Sequence, residues 1–231
     1  MTPESLEILF RDEALLAVNK PSGLMIHRGG HTVSPNEPVL EEWVQAHVGG
    51  TAFSVHRLDR ATSGVILFAL NKEANRALQA LFSERLIQKC YLALAAGILE
   101  EDLVVDTPLT RRARGNQKRQ PLLPAKSAFR ILDVQSGCSW VEVKPTTGRQ
   151  HQIRRHLKGI GHPIVMDRMY GYKRFNRDLR MQYFLHRLAL HAFSLQFPHP
   201  LTKEPLRIEA PLPEDLLLPL QKMGFSTLIP E

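Results

Sequence analysis

One short segment carries most of the reactive chemistry. His56-Arg57-Leu58-Asp59-Arg60-Ala61-Thr62-Ser63-Gly64 sets a carboxylate between two guanidinium groups and ends on a glycine. Opposite charge close by favours the ionised form of Asp59. An ionised Asp suits a nucleophile or an electrostatic stabiliser better than a proton donor. On charge pattern alone, an Asp among arginines is more often a paired surface charge than a catalyst. The apolar run Val65-Ile66-Leu67-Phe68-Ala69-Leu70 follows at once and predicts a buried strand, bounded by Gly64 and Asn71. The polar segment before it then reads as a loop that delivers side chains to the mouth of that strand. Gly64 admits a positive φ and so a tight turn.

Three further stretches concentrate charge. Arg111 to Gln120 holds Arg111, Arg112, Arg114, Lys118 and Arg119 with almost no apolar residue, and reads as a mobile basic loop. It fits a solvated turn or an arm that contacts phosphates. Arg149 to Lys158 reads as a helix. There Gln150, Ile153 and Leu157 share one stripe, and His151, Arg154 and Lys158 share the next. Arg and His at a helix start oppose the helix dipole, which implies an anion nearby. Arg168, Lys173, Arg174, Arg177 and Arg180 are interleaved with Tyr170, Tyr172 and Phe175. That mixture suits RNA, where rings stack on unpaired bases; an ordinary surface loop fits it too.

The elements that must position these groups are short. Residues 6–10 and 14–18 predict two strands around a turn, and 28–38 a loop. A helix is predicted from Val39 to Val48, with Trp43 as core. A second helix is capped by Asn71 and carries Ala74, Leu78, Leu81 and Phe82 on one face. Strands are predicted at 87–98, 103–109, 125–134, 139–144, 188–197 and 206–208, and a last helix over 213–223. Many strands with few helices, and no clear boundary, point to one α+β domain on a mixed or antiparallel sheet. The 231 residues can bury a sizeable core. A net charge of +7 favours a polyanionic partner. No apolar run reaches membrane-span length and no signal peptide is evident. Cys90 and Cys138 are too few for a disulfide framework or a cysteine-based metal site, and the scattered histidines lack zinc spacing. A reducing cytoplasm, no metal and no membrane are therefore expected.

The string from His56 to Gly64 resembles the signature of the RluA family of pseudouridine synthases. The resemblance extends to Val18-Asn19-Lys20-Pro21-Ser22-Gly23, to Lys89-Cys90-Tyr91, and to Lys144 through Arg154. It also takes in Gly161-His162-Pro163-Ile164 and Leu190-His191-Ala192, so it covers about residues 6 to 210. It implies a long, bent, mixed and largely antiparallel sheet with flanking helices and a central cleft. It also implies catalysis without metal or organic cofactor. The implied reaction breaks the uracil N1–C1′ bond, turns the base and rejoins it through C5. Asp59 becomes the essential carboxylate, either attacking C1′ or removing the C2′ proton; both routes need it ionised. Arg154 is implied as the partner that keeps that carboxylate charged. Tyr91 is implied to pack on the uracil and to assist loss of the C5 proton. Arg57 is implied to fill the gap in the RNA stack left by the flipped base. Arg60, Thr62, Lys89, Arg149 and His151 are expected to bind substrate, with Ile153 and Leu190 as pocket walls.

Two departures from the family stand out. No room precedes Leu6 for the small N-terminal RNA-binding domain of several members, so RNA choice is expected to rest on a single catalytic domain, residues 1–231, and its basic loops. Met166 stands where a Gly is expected before Asp167. The residues at 6–10 and 224–231 resemble the tRNA-acting branch that modifies a T-stem uridine. The expected partner is therefore RNA, tRNA ahead of ribosomal RNA, acted on by a monomer. Two other readings compete. A glycosidase would need a second flanking carboxylate, and none accompanies these motifs. An RNA-binding or RNA-folding protein with dispensable catalysis would tolerate loss of Asp59.

Overall fold

The structure is a computed structural model that describes residues 6–28, 37–110, 121–226 and 229. The expected basic loop at 111–120, and most of the expected loop at 28–38, lie outside the described residues. The chain divides into two compact units with interleaved segments: residues 1–88 with 191–212, and residues 89–190 with 213–231.

The first unit contains β1 (Ile8–Arg11), β2 (Leu15–Lys20), α1 (Leu40–Val48), β3 (Phe53–Ser54), β4 (Ser63–Ala69) and α2 (Lys72–Ser83). It also contains β11 (Leu190–Pro198) from His191 onward and β12 (Pro205–Glu209). β1 pairs antiparallel with β2, and β2 with β4, Lys20 opposite Gly64. β4 runs parallel to β11, His191 opposite Ser63, and β11 is antiparallel to β12. Every residue of β4 is buried, as its unbroken apolar run requires of a strand covered on both faces. α2 covers one face through Ala74 and Leu78, which join Leu15, Val65, Leu67, Leu195 and Phe197 in one core. Asn71 Oδ1 accepts the Ala74 N–H at 2.8 Å, the predicted cap.

The second unit contains β5 (Gln88–Ala96), which begins at the boundary, β6 (Leu103–Val105), β7 (Leu109–Thr110), β8 (Leu122–Leu123), β9 (Ser127–Gln135) and β10 (Cys138–Pro145). Its helices are α3 (Gln152–Gly159), α4 (Lys173–Tyr183) and α5 (Glu214–Lys222). β5, β10, β9 and β6 form an antiparallel sheet in that order. β9 and β10 are joined by Ser136 and Gly137, at φ 53° and 69°. Two positive φ values in a two-residue turn match the right-handed twist of the flanking strands. The extended run at 103–109 splits into β6 and β7, which pairs with β8.

Two expectations need correction. The helix expected from Arg149 begins at Gln152, because His151 sits at φ 53° and the Arg149 N–H is taken by Gln152 Oε1 at 3.0 Å. The stretch 173–183, a basic run among aromatics that an ordinary surface loop also fits, is a helix. Its apolar stripe is only Leu179 with the buried Asn176, too thin for hydrophobic periodicity to reveal. Among the described residues no helix is long and apolar enough to cross a membrane.

Candidate active site

Asp59 lies in the first unit, half-buried, in the loop that feeds β4. Its carbonyl accepts the Thr62 N–H at 3.0 Å, closing a turn over residues 59–62. The loop is tied at both ends. Before Asp59, His56 Nε2 accepts the Leu67 N–H at 3.0 Å, and its ring stacks on Phe82 with centroids 4.9 Å apart. After Asp59, the segment 20–24 holds the backbone. The Arg60 carbonyl accepts from Gly23 N at 2.8 Å and from Lys20 Nζ at 3.1 Å, and the Ala61 carbonyl accepts from Ser22 Oγ at 2.8 Å.

Lys20 is wholly buried. Besides the Arg60 carbonyl, its ammonium donates to the carbonyls of Pro21 at 2.8 Å and Leu24 at 2.9 Å. A desolvated ammonium is costly unless such acceptors surround it. The two opening motifs, at 18–23 and 56–64, are thus one structure.

Gly64 has φ +112°, and a Cβ there would lie 2.1 Å from the Ala192 carbonyl oxygen. Only glycine fits. Beside it, Ser63 Oγ is 2.7 Å from His191 Nδ1, and His191 Nε2 is 3.1 Å from the Ala210 carbonyl. Nε2 donates to that carbonyl, and Nδ1 is hydrogen-bonded to the Ser63 hydroxyl. This fixes the start of β4, four residues after Asp59.

Arg57 is exposed and Thr62 buried. Arg60 is exposed and tied to the segment before it. Its Nε donates to the Gly23 carbonyl at 2.8 Å and its Nη2 to Glu37. The guanidinium thus holds the loop that precedes α1.

The other expected site residues lie in the second unit. Lys89 and Tyr91 share one face of β5, as residues two apart in a strand must, and are half-buried. Lys89 Nζ donates to the Thr147 carbonyl at 3.0 Å, joining the 89–91 and 144–154 motifs. Gln152 secures the turn before α3. Its Oε1 accepts the Arg149 N–H at 3.0 Å and the Thr147 hydroxyl at 2.5 Å; its Nε2 donates to the Lys126 carbonyl at 2.9 Å and to Ser127 Oγ at 3.0 Å. Arg149 Nε donates to the Pro124 carbonyl at 3.1 Å. His151 adopts the left-handed conformation, with Nδ1 3.2 Å from the Tyr170 hydroxyl. Ile153 and Leu190 are buried.

Arg154 is buried and forked onto Asp167, with Nε–Oδ2 at 2.7 Å and Nη2–Oδ1 at 3.0 Å. Its guanidinium carbon lies 5.2 Å from the centre of the Tyr170 ring. Asp167 Oδ1 also accepts the N–H groups of Met169 at 2.8 Å and Tyr170 at 3.0 Å. Burial works to raise the Asp167 carboxyl. The Arg154 hydrogen bond and the Tyr170 and Met169 N–H groups outweigh it and hold the carboxyl below the ordinary range. Met166, where glycine was expected, has φ 62°, so the loop keeps a glycine-type backbone despite the side chain.

His156, on the same helix, is buried with Nδ1 3.1 Å from Ser127 Oγ and Nε2 3.1 Å from the Thr107 carbonyl. Burial pushes its pKa down, which favours the neutral imidazole.

Sequence reasoning did not single out Asp167, Lys20, Gln152 or the Ser63–His191 pair. For Asp167 a signal exists: it is the only acidic residue between Glu142 and Asp178, amid many cations. Chemically, the first unit offers a carboxylate on a fixed turn, and the second a tyrosine and an oriented arginine. Among the described residues, no group of three His, Cys, Asp or Glu side chains is placed to hold a metal.

Residues 14–158 match the family described as RNA pseudouridylate synthase. The chain is 37% identical to tRNA pseudouridine synthase C of Salmonella typhimurium, over 98% of this chain and 93% of that protein. It is 38% identical to the ribosomal large subunit pseudouridine synthase C of Pasteurella multocida, over 91% of this chain and 65% of that protein. Human RNA pseudouridylate synthase domain containing 1 superposes with a TM-score of 0.76 at 29% identity, covering 94% of this chain and 88% of that one. The motif around Asp59, the mixed sheet that carries it and these similarities agree: the chain belongs to the RNA pseudouridylate synthase family.

Proposed function

We propose that this pseudouridine synthase acts on a uridine of transfer RNA, in the compartment where tRNA matures. The observation that carries the tRNA assignment is near-full-length similarity to relatives named for tRNA, at 37% identity over 98% of the chain. The reaction is an isomerisation. The N1–C1′ bond breaks, the uracil turns, C5 bonds to C1′, the C5 hydrogen leaves as a proton and N1 gains one. Asp59 is the essential carboxylate, as nucleophile at C1′ or as base at the C2′ hydrogen. A fixed turn supports this role, since a reacting group held in place needs no ordering during the reaction. Tyr91 packs on the uracil and assists departure of the C5 proton. Arg154, oriented by Asp167, supplies a fixed positive charge. Arg57, exposed on the Asp59 loop, fills the stack vacated by the base.

The C5 hydrogen provides the test. Transcripts labelled with tritium at uridine C5 release it to water as pseudouridine forms. Release from tRNA and not from ribosomal RNA is expected. Release from ribosomal RNA alone would overturn the tRNA assignment in favour of the second reading, which the 38% identity to the Pasteurella multocida relative supports.

A further inference from the structure

α4 is a helix whose outer face is largely exposed among the described residues. Lys173, Arg174, Arg177 and Arg180 are exposed on it, and at 100° per residue they fall within about 120° of arc. Met181 and the capping Phe184 fall on the same arc, 76% and 61% exposed. The arrangement opposes helix stability in two ways. Lys173 and Arg174 occupy the first turn, where the dipole favours anions. Lys173 with Arg177, and Arg177 with Arg180, are like charges at helical-neighbour spacing. Of the four cations, Arg177 alone forms an ion pair among the described residues, with Asp178 at 3.5 Å. Phe184 holds φ 61°, uncommon for a bulky side chain, and its ring carries Lys222 Nζ 4.8 Å from its centre.

The inner face, by contrast, is fastened. Asn176 Oδ1 accepts the Met166 N–H at 2.9 Å, Asn176 Nδ2 donates to the Asp167 carbonyl at 3.4 Å, and Tyr172 donates to the Gly161 carbonyl at 2.8 Å. Gly171 lets the chain pass: a Cβ there would meet the Asp167 carbonyl oxygen at 2.5 Å.

We propose that the outer face of α4 is a docking surface for the phosphodiester backbone of the RNA substrate. The cations take phosphates, and Phe184 and Met181 contact sugar or an exposed base. Asn176 fixes this surface to the Met166–Asp167 loop that orients Arg154, so the docked backbone is held in register with that arginine. The proposal rests on RNA being the substrate, and charge complementarity selects RNA over an apolar partner.

The test compares Arg174→Gln/Arg177→Gln with a control pair of equal charge change on the exposed face of α2, Lys72→Gln/Arg76→Gln. Affinity for a tRNA transcript is measured against salt, and pseudouridine formation against tRNA concentration. Each lost phosphate contact lowers the slope of log Kd on log salt by about 0.9. The α4 pair is therefore expected to lower it by nearly two and to raise KM about tenfold, with kcat within twofold. The control pair leaves slope and KM unchanged. Lys173→Gln/Arg180→Gln repeats the measurement if the first pair folds poorly. Equal loss in both pairs, or none in the α4 pairs while the wild type modifies tRNA, overturns the docking surface alone and leaves α4 to an acidic protein partner. A wild type that neither binds nor modifies RNA overturns the function reading and the proposal with it.

Discussion

Replacing Asp167 by Asn should separate the positioning of Arg154 from the chemistry of Asp59. The Asp167 carboxylate is fully buried and receives two hydrogen bonds from Arg154 and one each from the Met169 and Tyr170 N–H groups. The amide of Asn has a single oxygen, so its NH2 must face at least one of these donors. Leaving a buried guanidinium without its counter-charge costs about 3–5 kcal/mol. For a chain of this size each kcal/mol shifts the melting temperature by about 2–4 °C. A melting temperature lower by about 6–20 °C is expected, read by circular dichroism, with turnover measured well below the transition. Because the folded carboxyl lies below the ordinary range, its stabilisation is present above about pH 4 and lost as pH falls through the folded value. Asp167→Asn should therefore flatten the acid limb of stability. The double variant Arg154→Met/Asp167→Leu removes both charges and should regain part of the stability, while activity stays lost if Arg154 serves the reaction. A melting temperature within 2 °C of wild type for Asp167→Asn would refute this reasoning; full activity in the double variant would remove Arg154 from the mechanism.

Further outcomes are expected at the Asp59 loop and behind α3. Lys20→Met keeps the buried stem but deprives the Leu24 carbonyl of its buried donor, at about 1–3 kcal/mol. Turnover should fall more than tRNA affinity, as single-turnover kinetics would show. Gly64→Ala places a methyl group against the Ala192 carbonyl at a φ that L-residues avoid; loss of about 3 kcal/mol or more is expected in urea unfolding. Burial lowers the His156 pKa in the folded protein, while the unfolded chain takes a proton near pH 6.5. Stability should thus fall as pH drops below about 6.5 toward the lowered folded value, and His156→Gln should flatten that slope in melting temperature against pH.

What was legible from sequence follows the strength of local signals. β4 and α2 are recognisable because an unbroken apolar run and an Asn cap each admit one local reading. The Ser136–Gly137 hairpin and the terminal helix stand out through turn residues and apolar spacing. α4 stayed hidden because its inner face is held by Asn176 and Leu179 rather than by an apolar stripe. The start of α3 was misplaced because Gln152 reaches back to cap Arg149, a side-chain contact that propensity does not encode. At the site, Tyr91, Arg154 and Asp59 are expected from family resemblance, and the local charge pattern alone does not single out Asp59. Arg60 neighbours it in sequence, yet its guanidinium serves Gly23 and Glu37. Lys20 and Asp167 act through partners that only the fold assembles: loop carbonyls for one, a forked arginine for the other.

The most direct measurement is pseudouridine mapping, by CMC-dependent reverse-transcription stops, on RNA from cells lacking this gene. The RNA is treated with purified wild-type protein or with Asp59→Asn. A new stop in tRNA with wild type and none with Asp59→Asn is expected. The same stop with both proteins would contradict Asp59 as the essential carboxylate, and no stop with either would contradict the synthase reading itself.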